Sequence, residues 1–149
     1  MPNYALTFQR TLAANTTVGV VYASSATQAR RLKLYDFTIG VESAPASFAN
    51  LWQWKRFTAP GTSTAVVPNP LDLADPAALG EAGQNNTVEP TYTVIMASKA
   101  LNQQATYRWL AAPGAEIIIP ATNNAGLGIQ TTTTGSAGAS GTVDAYVTE

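Results

Sequence analysis

The stretch Gly61–Ala78, GTSTAVVPNPLDLADPAA, constrains this chain more than any other. It is too rich in proline for regular structure and too apolar for a free linker. Pro68, Pro70 and Pro76 lie within it and Pro60 stands just before. Each lacks a backbone N–H and pushes the preceding residue toward extended conformations, which argues against both helix and central strand. Yet Val66, Val67, Leu71, Leu73 and, just beyond, Leu79 are interleaved through it, and such side chains favour burial. Loops longer than about 12–15 residues are uncommon unless they are functional. The expectation is therefore a long arm over residues 59–90 that docks on its own domain or on a neighbouring subunit.

The remaining composition narrows the chemistry. A chain of 149 residues suits one domain, 1–149, with residues 1–10 as a first strand or an N-terminal extension. Cysteine and histidine are both absent, which excludes disulfides, thiolate nucleophiles and Ser-His-Asp catalysis and removes the commonest metal ligands. The expectation is no enzyme and no cofactor or metal. Charged residues make up only 11%, against about 25% in ordinary domains. A net charge of −1 offers no footprint for nucleic acid or an anionic membrane. No run approaches the roughly 18 apolar residues of a membrane span. MPNYALTFQR lacks the basic and apolar regions of a signal peptide, so synthesis in a cytoplasm is expected. A sparsely charged, Thr- and Ala-rich surface suits packing against other protein.

Short β-type runs separated by turn residues dominate, which predicts an all-β chain with little helix. They are Tyr4–Phe8, Thr16–Ala23, Arg30–Gly40, Leu51–Thr58, Tyr92–Ala97, Ala105–Ala111, Glu116–Ile119, Gly128–Thr134 and Thr142–Thr148. In Arg30–Gly40 the apolar side switches from Leu32 and Leu34 to Phe37 and Ile39, which predicts a bulge near Tyr35. Gly83–Asn86 reads as a break, Gly135–Gly141 as a flexible turn, and Asp75–Glu81 and Ala44–Asn50 as short helical possibilities. Nine strands with one long connection fit a jelly-roll or related Greek-key β-sandwich.

Several residues invite a chemical reading. Asp72 and Asp75, with Glu81 and Glu89 beyond, offer carboxylates for calcium or for acid–base work. The spacing lacks the pattern of a calcium loop, and the structural reading makes Asp72 a turn former and Asp75 a helix cap. Alternation puts Arg31 and Lys33 on one strand face, either solvated or set against an acidic partner. Trp52, Trp54 and Trp109 are either core residues or a sugar-stacking platform, with Arg56 and Arg108 nearest to hand for sugar hydroxyls.

The string from Gly61 through Ala77, followed by ATYRWLAAPG, EIIIPATNNAGLGIQ and a terminal strand rich in Val and Tyr, resembles a family of tailed-phage capsid decoration (cement) proteins of jelly-roll type. The likeness spans about Arg30 to Glu149. It implies a virion protein on the outer capsid surface, a homo-oligomer and most often a trimer, that binds across neighbouring major capsid proteins and staples the shell. The residues expected to contact partners are Val66, Val67, Pro68, Pro70, Leu71 and Leu73 of the arm, with Arg31 and Lys33. Two other readings stay open: a carbohydrate-binding module or host-surface adhesin using Trp52, Trp54 or Trp109, and another virion component such as a head-fibre base.

Overall fold

A computed structural model describes residues 1–24, 28–43, 45–132 and 139–149. The expected tip at Gly135–Gly141 lies outside these apart from its last three residues, and Ala44 of one expected helix lies outside as well.

Among the described residues there are twelve strands and no helix. They are β1 (Asn3–Thr11), β2 (Thr16–Tyr22), β3 (Leu32–Glu42), β4 (Ala49–Phe57), β5 (Thr62–Val66), β6 (Asn69–Pro70), β7 (Glu81–Val88), β8 (Tyr92–Asn102), β9 (Tyr107–Leu110), β10 (Ile117–Ile119), β11 (Gly126–Thr131) and β12 (Ser140–Thr148). They form two antiparallel sheets facing each other as a β-sandwich. One runs β10-β3-β12-β1-β6, with β9 also on β3; the other runs β5-β7-β2-β11-β4-β8. The pairing is nested: β1 with β12, β2 with β11, and β3 and β4 outside these pairs on β12 and β11.

Period-2 alternation builds the core. On β12 every second residue from Gly141 to Val147 is buried, and on β1 Tyr4, Leu6 and Phe8 point inward. These meet Val18, Val21, Leu127, Ile129, Trp52 and Trp54 from the other sheet. The bulge near Tyr35 is present. Tyr146 faces Asp36 and Val147 faces Leu34, so Tyr35 is the extra residue, and the buried set moves from Leu32 and Leu34 to Phe37 and Ile39. Val20 and Phe57 are also buried but stand apart from the main core. Tyr22 and Tyr92 meet Phe57 edge-on, with ring centroids at 6.3 and 6.2 Å. This second aromatic layer explains why β2 is buried on almost every side chain.

Three sequence expectations fail. Thr62–Val66, expected to be irregular, is strand β5, because its prolines lie beyond it and it sits on a sheet edge. Glu81–Val88, read as a break around Gly83–Asn86, is strand β7. Gly83 is needed there because a Cβ would enter the Ser63 side chain of β5. Asp75–Glu81 and the described part of Ala44–Asn50 contain no helix. Asp75 is thus no cap; its N–H donates to the Asp72 carbonyl at 3.0 Å in a turn.

Candidate functional site: the arm and the opposite flank

The arm leaves the sandwich after β4 and returns to it before β8, and the two crossings pair. The Thr58 N–H donates to the Thr91 carbonyl at 3.2 Å, and the Thr91 N–H to the Ala59 carbonyl at 3.0 Å. Beside this neck, Glu89 accepts from the Thr17 N–H at 3.1 Å and from the Thr17 hydroxyl, and pairs with Arg10 at 3.2 Å. Arg10 also donates to the carbonyls of Thr17 at 2.7 Å and Asn86 at 2.9 Å. The Tyr92 hydroxyl stands 2.6 Å from that of Thr17, and burial of the ring holds its pKa well above the usual phenol value. A charged pair with several charge-assisted hydrogen bonds fixes the neck more firmly than an isolated surface pair would.

Between the crossings the arm folds back on its own sandwich. Strands β5 and β7 extend one sheet beyond β2, and β6 joins the other sheet beside β1. The Leu71 N–H donates to the Asn3 carbonyl at 2.8 Å, and the Tyr4 hydroxyl to the Pro76 carbonyl at 3.0 Å. The Leu79 N–H donates to Glu149 Oε2 at 2.9 Å. Gly80 closes the seam, since a Cβ there would run into Leu32. A cavity of about 410 Å³ remains at the arm's root, lined by Tyr4, Arg30, Pro76, Leu79 and Glu149 among others.

This docking divides the residues expected to contact partners. Val66 packs on the core, and Pro68 and Pro70 are half-buried, Pro70 lying opposite Tyr4. Val67 and Leu71 face solvent, and Leu73 is 94% exposed. Asp72 is the expected turn former, its Oδ1 accepting the Ala74 N–H at 2.9 Å. Arg31 is exposed but precedes β3, so it does not share a strand face with Lys33, which lies half-buried opposite Ile118 of β10.

The tryptophans fare differently from one another. Trp52 and Trp54 are buried between the sheets and offer no face to a sugar. Trp109 is half-buried and stacks on Phe37 with centroids 5.2 Å apart. The arginines beside them have partners of their own. Arg108 grips the buried Asp36 carboxylate with both Nε and Nη2, and that carboxylate raises the Arg108 pKa. Arg56 Nη1 donates to the Ile118 carbonyl at 2.7 Å, tying one sheet to the other.

One surface escaped the sequence reading. Strand β8 is the far edge of its sheet, yet Val94, Ile95 and Met96 are all exposed, as is Leu110 of β9 at the other sheet's edge. Register shifts against β4 make Met96 and Thr93 extra residues, so β8 carries two bulges and turns apolar side chains to both faces. The signal was in the sequence: YTVIMA is apolar on both sides, a pattern proper to a covered strand.

Comparison with protein-family models, with curated proteins and with solved structures yields no match for this chain.

Proposed function

We propose that this protein is a structural component of a tailed-phage virion, a homo-oligomer that decorates the capsid and stabilises it by binding across neighbouring major capsid proteins. The observation that carries this reading is the arm. Strand pairing and hydrogen bonds hold it rigidly, while its crest raises Val67, Leu71 and Leu73 into water. Lifting apolar groups on a pre-organised support costs stability in the free chain and lowers the ordering cost of binding another protein. The nested strand order, with β1 and β12 outermost in sequence and central in space, supports the finer reading of a jelly roll. An oligomer held together through such a crest meets the shell at several points at once, and those contacts add up by multivalency even where each is weak.

The reading is tested by incubating the purified chain with empty shells of the cognate phage and measuring co-sedimentation and the shell's melting temperature. Saturable binding with a raised melting temperature is expected. A chain that neither sediments with shells nor changes their melting would remove the proposal.

A further inference from the structure

We infer that the arm of one copy docks on the β8 flank of the next, so that the protein assembles head to tail; this rests on the homo-oligomer part of the reading above. The two surfaces lie on opposite edges of the sandwich, β5, β6 and β7 at one side and β8, β9 and β10 at the other. Both expose large apolar side chains: Val67, Leu71 and Leu73 on the arm, Val94, Ile95 and Leu110 on the flank.

Apart from Arg30 at the arm's root and Glu116 just before β10, their charges are opposite. Residues 58–91 contain Asp72, Asp75, Glu81 and Glu89 and no lysine or arginine. Residues 49–57 and 92–110, which supply β4, β8 and β9, contain Lys55, Arg56, Lys99 and Arg108 and no acid. Glu89 is engaged by Arg10, and Arg108 by Asp36. The others have only neutral partners among the described residues. Glu81 accepts from the hydroxyls of Tyr22 and Ser24, and Lys55 donates to Gln130. Arg56 donates to a backbone carbonyl, and Lys99 lies over the Tyr107 ring. Three uncompensated acids at one edge thus answer three uncompensated bases at the other.

This complementarity selects the symmetry. A two-fold contact would set arm on arm or flank on flank, placing like charges together, which opposes association. A head-to-tail contact joins unlike charges and covers both apolar sets, and it closes into a ring when the rotation between copies allows. It also accounts for β8, whose two-sided apolar pattern suits a strand with a neighbour beyond it.

Light scattering on the eluted protein tests the contact. The parent chain is expected to run as an oligomer. Leu73→Asp, and separately Asp72→Lys with Asp75→Lys, is expected to fall to the 15.6 kDa monomer. Lys55→Glu with Lys99→Glu is expected to do the same, and the chain carrying all four charge reversals to recover the parent mass. Leu73 makes almost no buried contact, so its variant reports assembly and not folding; near-ultraviolet circular dichroism matching the parent checks this. An oligomer unchanged by the arm variants would overturn the contact, as would failure of the combined reversal to restore assembly. A monomeric parent would overturn it too. Shell co-sedimentation, measured on the same samples, separates these outcomes from failure of the decoration reading.

Discussion

Phe8 and Gly19 show how closely the two sheets approach. The Phe8 ring is fully buried, and a Cβ at Gly19 would enter it, so the residue opposite has to be glycine. Phe8→Ala leaves a cavity that neighbouring strands cannot fill, and a loss of about 3–5 kcal/mol is expected in urea unfolding. Tyr22 offers a second measurement. Burial first, then the hydrogen bond to Glu81 and its charge, push the phenol from 10.0 up to about 12. The folded chain therefore holds this proton where the unfolded chain has lost it. Its contribution is complete below pH 10 and fades as pH rises toward about 12. Unfolding free energies across that window should fall less steeply for Tyr22→Phe; an unchanged slope would count against the assignment.

The strands divide according to what holds them. β1, β2, β3, β4 and β12 were legible because alternation or β-branched runs mark them, and even the Tyr35 bulge was visible where the apolar side switched. β5 and β7 were not. EAGQNNTV carries little intrinsic preference, and TSTAV, though rich in β-branched residues, is short and set among prolines; both become strands through pairing with each other and, for β7, with β2. Glu89 fastens the neck of this unit, so Glu89→Ala should speed amide hydrogen exchange in β5 and β7 while β11 and β12 stay protected. Equal acceleration everywhere would mean that the neck is no separate unit.

Across the whole molecule, the arm is part of the sandwich and also exposes Val67, Leu71 and Leu73 to water. Removing Gly61–Asp75 would strip β5 from β7 and Pro68 from its place against Tyr4, Val21 and Leu32. That deletion would weaken the fold together with any binding, and Leu73→Asp is the cleaner probe. The tryptophans give an independent check on the architecture. Acrylamide should quench a single fraction of the fluorescence, and Trp109→Phe should abolish that fraction, since Trp52 and Trp54 are shielded. Strong quenching that survives Trp109→Phe would contradict the packing described here.

Local pattern was enough for the all-β class, for most strands and for singling out the proline-rich segment, because side-chain alternation and proline's missing N–H act within a few residues. Where that segment lies, and which of its apolar groups reach water, depended on contacts between residues distant along the chain: Leu71 with Asn3, Tyr4 with Pro76, Leu79 with Glu149. The same holds for the exposed flank of β8. Its sequence reads as a covered strand, and only its position at the edge of a finished sheet leaves it bare.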